Sequence, residues 1–256
     1  MEQRFTFDQV ADLYDRARPG YPEALFDDVV AAAALSPGDP VLEIGCGTGK
    51  ATLGLERRGL NILALDPGEA LIAVARRRLA GFEAAQFART TLEAWPAPPG
   101  AFRLAISAQA LHWVAPDLWF AKPALTLAPG GVFAVFGSVP APLPDPIRAR
   151  VEDAYARHAP ELLGPPPERI YRPGAVIHNR FEAAPEFGPV THRDYRWSRP
   201  QTAESYPDFL RTLSTHQMLA PARRDALLGA VAEAIWASGG ALEAPWETHL
   251  YWARRA

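Results

Sequence analysis

The sequence predicts a three-layer α/β protein: a seven-stranded, mostly parallel sheet with an antiparallel last strand, flanked by helices and carrying a helical lid. Three observations carry this reading. Short apolar runs alternate with helix-compatible stretches through the first half of the 256 residues. The first of these runs, Val41-Leu42-Glu43-Ile44, ends in the glycine-rich turn Gly45-Cys46-Gly47-Thr48-Gly49. Beyond residue 138 the alternation gives way to proline-broken segments and resumes only near Val190.

Each element has a local cause. Pro22 opens a helix expected to run to Leu35, where Ser36-Pro37-Gly38 stops it. Strands are expected near 40–44, 61–66, 102–107 and 131–137, with a weaker one near 84–88. Helices near 48–58, 68–80 and 116–127 separate most of them. Right-handed crossovers bring the carboxyl ends of such strands to one rim, so Gly45–Gly49, Asp66, Thr91–Glu93 and Ser107–Trp113 should meet there. Pro140, Pro142, Pro144 and Pro146 break the chain, and Gly164-Pro165-Pro166-Pro167 breaks it again, so 138–185 reads as a lid insertion. A strand over 190–197, helices over 202–214 and 221–237, and a final strand near 246–253 complete the pattern. With no internal repeat and no independent second domain, residues 1–256 read as one domain.

The glycine turn is where the chemistry concentrates. Glycines there permit a tight turn and let a ligand lie against the backbone. Asp66, closing the next strand, suits a ribose diol. A phosphate-binding loop fails, because Lys50 is followed by Ala51 and Ile44 stands where the first glycine belongs. A dinucleotide fingerprint lacks its third glycine, replaced by Lys50. Glu43 would repel a pyrophosphate but suits a cationic amino acid end. S-adenosylmethionine (SAM) has such an end, a ribose and no phosphate.

Composition agrees with a globular enzyme. A net charge of −3 and no basic tail argue against nucleic acid as the main partner. Arg76-Arg77-Arg78 follows an apolar helical stripe and reads as a solvated face. A single cysteine, Cys46, excludes an internal disulfide. No signal peptide or membrane-spanning apolar run is read, so a cytoplasmic location is expected, without a membrane partner. Histidine spacing gives no metal site: there is no H-E-x-x-H and no cysteine pair.

Glu43-Ile44-Gly45-Cys46-Gly47-Thr48-Gly49 resembles motif I of the class I SAM-dependent methyltransferases, a Rossmann-like superfamily. Leu63-Ala64-Leu65-Asp66-Pro67-Gly68-Glu69 is similar to the second motif, Phe102–Ser107 to the fourth strand, and Leu127-Ala128-Pro129-Gly130-Gly131 to the turn before the fifth. Residues 1–21 look like the entry segment of a small-molecule branch, expected to fold over the cofactor site. Ser107-Ala108-Gln109-Ala110-Leu111-His112-Trp113 resembles the signature of a branch that includes trans-aconitate methyltransferases.

The resemblance implies SAM as cofactor and a small-molecule acceptor, with O-methylation of a carboxylate favoured slightly. Glu43 would hold the methionine ammonium, Gly45, Cys46, Gly47, Thr48 and Gly49 would line the amino acid end, and Asp66 with Pro67 would take the ribose. Leu71 and Leu92 would flank the adenine, while Thr91 or Glu93 would replace the aspartate that often meets its amino group. Tyr14, Ser107 and Gln109 complete the expected cofactor set. His112 and Trp113 are the catalytic and acceptor-side candidates, and Arg18 is the first choice for an acceptor carboxylate, ahead of Arg172 and Arg180. A nicotinamide-dependent oxidoreductase and a non-catalytic SAM-binding protein are the alternatives.

Overall fold

The computed structural model describes residues 11–165 and 167–256. In chain order the elements are α1 (Ala11–Ala17), α2 (Glu23–Ala32), β1 (Pro40–Ile44), α3 (Lys50–Glu56), β2 (Asn61–Asp66), α4 (Glu69–Arg78), β3 (Ala85–Arg89) and β4 (Phe102–Ala108). Then follow α5 (Ala121–Thr126), β5 (Leu127–Pro140), α6 (Ile147–His158), α7 (Val176–Glu182), β6 (Thr191–Thr202), α8 (Ser205–Arg211), α9 (Ser214–Gln217), α10 (Pro221–Trp236) and β7 (Ala241–Arg254). The strand order is β3-β2-β1-β4-β5-β7-β6. β1 pairs in parallel with β2 and β4, β2 with β3, and β4 with β5. The Arg255 N–H donates to the Gly131 carbonyl and the Ala141 N–H to the Pro245 carbonyl, so β7 runs against β5. The sheet is the one the alternation implies.

The chain divides into two compact units: a sheet unit of 20–139, 168–195 and 248–256, and a helical unit of 1–19, 140–167 and 196–247. The segment 138–185 is therefore not one body. Its α6 packs in the helical unit, where Ile147 and Val151 join Phe209 of α8 and Leu227 and Val231 of α10 in one core. Its α7 belongs to the sheet unit, where Ile177 and Phe181 are buried with Phe133 and Tyr171.

Within the sheet unit the period of two along each strand builds the layers. On β5, Phe133 and Val135 enter one core, and Val132, Ala134 and Phe136 enter the other. Leu42 and Ile44 of β1 face the first core and Val41 the second. Each fully buried side chain of this size contributes about 1.5–3 kcal/mol.

Boundaries moved where backbone geometry overrides apolar pattern. α3 begins at Lys50 rather than 48, because Gly49 adopts φ 77°. α2 ends at Ala32, short of Leu35, and Ala34 is left-handed at φ 48°. α5 is confined to six residues. β5 starts at Leu127, four residues early, because the Pro129-Gly130-Gly131 turn is absorbed as a register shift against β4. β6 runs on to Thr202 through Pro200, which an edge strand tolerates.

Candidate cofactor and acceptor site

The β1–α3 turn carries three left-handed glycines for different reasons. At Gly45 (φ 75°) a Cβ would lie 2.3 Å from the Ala110 Cβ, so β1 and the loop after β4 approach at a position that excludes any side chain. At Gly49 (φ 77°) a Cβ would meet Leu79 and Ala75 of the α4 region at 2.8 and 3.1 Å. At Gly47 (φ 54°) nothing lies within 4 Å of the added carbon. The first two glycines serve packing, and the third borders open space.

Two carboxylates flank this turn. Asp66, at the end of β2, accepts the Gly47 N–H through Oδ2 and the Gly68 N–H through Oδ1, both at 2.8 Å. A carboxylate offers about four lone-pair sites, more than these two bonds use. Glu43 is fully buried; its Oε2 accepts the Thr52 hydroxyl at 2.6 Å, whereas Oε1 has no hydrogen-bond partner. Burial, aided by the Asp66 charge, raises its pKa to about 7. The Thr48 hydroxyl is likewise buried without a hydrogen bond. Such orphaned groups are uncommon, and two of them at one turn can be completed by a polar ligand. An acceptor-rich turn with an uncompensated carboxylate fits a ligand bearing an ammonium and a ribose. It does not fit a pyrophosphate.

Cys46 is buried, and its thiol is pushed well above the usual range by desolvation and then by Asp66 and Glu43. It fills space rather than acting as a nucleophile. Pro67 is half-buried beside Asp66, and Leu71 is buried on α4. Leu92 is buried in the first core. The Thr91 hydroxyl accepts the Ala94 N–H at 3.3 Å, and one Glu93 oxygen accepts the Ala115 N–H at 2.9 Å. Glu93 thus joins the loop after β3 to the loop after β4.

The loop after β4 forms the other side of the rim. Ser107 donates to the Ile44 carbonyl at 3.2 Å and locks β4 to β1. Gln109 adopts φ 56°, and its side-chain amide donates to the Ser138 carbonyl at 3.1 Å. His112 and Trp113 lie on the single turn Leu111–Trp113, their rings 4.7 Å apart. His112 Nδ1 lies 3.1 Å from the Tyr171 hydroxyl, and burial lowers its pKa to about 4. The imidazole is therefore neutral near pH 7.

Tyr171 was not among the sequence candidates. It is fully buried, and its ring occupies the space a Cβ at Gly137 would need, with a closest approach of 2.5 Å. Only Gly137 on β5 signals it in the sequence, and that signal does not name the partner. Tyr14 and Arg18 belong to the helical unit. There Arg18 donates to the Thr212 hydroxyl at 2.9 Å and stacks over the Tyr14 and Phe209 rings. The Arg180 guanidinium lies 5.0 Å over Trp119. Residues 1–10 of the entry segment lie outside the described residues.

Residues 41–131 match a family model described as "Methyltransferase domain". An uncharacterized methyltransferase of Geobacillus kaustophilus is 31% identical over 184 residues, covering 68% of this chain and 84% of that protein. An uncharacterized methyltransferase of Mycobacterium tuberculosis is 28% identical over 214 residues, covering 83% of this chain and 78% of that protein. Among solved structures, one assigned as a type II methyltransferase from Anaeromyxobacter dehalogenans aligns with a TM-score of 0.60 at 26% identity, covering 93% of this chain and 97% of that one.

Proposed function

The chain belongs to the class I SAM-dependent methyltransferases, and from that premise we propose that it methylates a small molecule, with a carboxylate oxygen as the acceptor atom. SAM supplies a methyl group already activated on a sulfonium. The chain's own task is to hold the cofactor, align the acceptor in line and exclude water.

The cofactor contacts we assign follow from the turn. Glu43 and Thr48 complete their hydrogen bonding with the amino acid end, Asp66 receives the ribose hydroxyls, and Gly47 leaves room for the ligand against its backbone. Leu71 and Leu92 flank the adenine, with Thr91 nearest its amino group. Tyr14, Gln109 and Ser107 stay in the set as expectations from the family resemblance.

The observation that carries the acceptor assignment is the state of His112. A base of pKa about 4 removes a phenolic proton poorly, so the 10²–10⁴-fold advantage of general-base catalysis is not available to a phenol or alcohol. A carboxylate needs no base. His112 Nδ1 and the Tyr171 hydroxyl lie at hydrogen-bond distance; in the tautomer we assign, Tyr171 donates to Nδ1, and the proton on Nε2 donates to and orients an acceptor oxygen. Trp113 supplies an aromatic face beside it, and Arg18 stays an expectation from the family resemblance. The resemblance of 107–113 to the trans-aconitate branch points the same way.

The test is a panel of carboxylic acids, phenols and amines offered with isotopically labelled SAM, with products read by mass spectrometry. Methyl esters are expected, with a rate independent of His112 ionisation between pH 6 and 8. His112→Ala and Tyr171→Phe should slow turnover and leave SAM affinity unchanged. Transfer confined to phenols, with a rate rising through a pKa that His112→Ala abolishes, would overturn the reading.

A further inference from the structure

A second cluster of polar side chains lies on the edge strand β6 and its neighbour β7, outside the glycine turn. His192 and Asp194 stand two residues apart on β6 and so share a face, and His249 comes from β7 beside them. Asp194 Oδ1 lies 2.8 Å from His192 Nε2 and 2.6 Å from His249 Nδ1. One ligand atom from each of the three falls within 4.8 Å of the others. His192 Nε2 is buried, with the Asp194 carboxylate as its near neighbour. The rings are ordered by stacking: Tyr251 lies on His192 with centroids 4.6 Å apart at 16°, and His192 faces His249 at 5.7 Å.

We propose that His192, Asp194 and His249 form a binding site for a divalent transition-metal cation of the zinc type. Two imidazoles and one carboxylate are the donors such ions select over calcium or magnesium. Metal–ligand bonds of about 2.0–2.2 Å need donors roughly 3–3.5 Å apart, so small side-chain rotations suffice. The Asp194 side chain is 50% exposed and that of His192 25%, which gives the ion an entry path and leaves positions for water. His178 stands outside the ligand set: its Nδ1 accepts the Gly174 N–H at 2.9 Å, and its Nε2 lies 3.3 Å from Glu182.

A bound ion would pin the edge strand β6 to β7. It would also fix Tyr251, whose hydroxyl donates to the Tyr171 carbonyl at 2.9 Å. Because the ligands pair across strands rather than along one motif, sequence spacing alone excluded them. The inference does not depend on the methyl-transfer reading.

The test uses the tag-free full chain, stripped with a chelator, titrated with Zn²⁺ by calorimetry and with Co²⁺ by visible absorption. One equivalent should bind with micromolar affinity, raise the melting temperature and, for Co²⁺, develop ligand-field bands. His192→Gln and Asp194→Asn should each weaken binding at least ~10-fold while the metal-free melting temperature holds. Absence of Zn²⁺ binding, or equal binding by the His192→Gln/Asp194→Asn double variant, would overturn the proposal. If the variants fail to fold, the wild-type Co²⁺ spectrum decides: no ligand-field band at one equivalent excludes the site.

Discussion

Glu43 is the residue whose environment speaks most directly. It titrates near 7 in the folded chain against an ordinary 4.5. Between those values the native state keeps a proton that the unfolded chain has released, so stability falls as pH rises through the window. Unliganded wild type should therefore lose about 3 kcal/mol relative to Glu43→Gln between pH 4.5 and 7.5, read by urea unfolding at each pH. A cationic ligand end favours the ionised form, so SAM affinity should rise across the same range in wild type and stay flat in Glu43→Gln. The glycines of the turn separate stability from binding. Gly45→Ala meets both a left-handed backbone and the Ala110 Cβ, and should cost about 3 kcal/mol or more. Gly47→Ala meets only the backbone and should cost about 1–2 kcal/mol, yet weaken SAM binding because its methyl group enters the open space.

At the scale of elements, Gln109 joins the end of β4 to β5 at the expense of a left-handed backbone. Gln109→Ala should lose about 1–2 kcal/mol in urea unfolding, and Gln109→Gly should recover about 1 kcal/mol of that by relieving the backbone. The strands most legible in the sequence, β1, β2 and β4, join an apolar run to a clear breaker. β5 was legible except at its start, because Pro129-Gly130-Gly131 reads as a turn and only pairing with β4 shows it to be an irregularity inside a strand. The helices of 138–185 were legible between the proline breaks, but not their division, since nothing local tells α6 from α7 which core to enter. The geometry of the proposed cofactor turn was legible because Glu43, the glycines and Asp66 fall within one βαβ unit. Tyr171 and the His192–Asp194–His249 cluster were not, because their partners lie across strands or far along the chain.

For the whole molecule, two units carry separate apolar cores. The turn, Asp66 and the loop after β4 all belong to the sheet unit. Leu227→Ala, at a fully buried position of the helical core, should destabilise by about 2–5 kcal/mol and leave SAM affinity within threefold at temperatures where the chain stays folded. SAM at a hundred times its Kd should stabilise the protein by about 2.7 kcal/mol.

The central claim is that the turn from Glu43 to Gly49, closed by Asp66, holds SAM. Parallel calorimetric titrations of wild type and Asp66→Ala with SAM, its demethylated product and NAD test it most directly. Micromolar binding of SAM and its product by wild type is expected, with none for NAD. Asp66→Ala gives up the bonds to the Gly47 and Gly68 N–H groups along with the proposed ribose contact, so its affinity should fall at least ~10-fold. Equal SAM affinity in Asp66→Ala, or binding of NAD in place of SAM, would contradict the account.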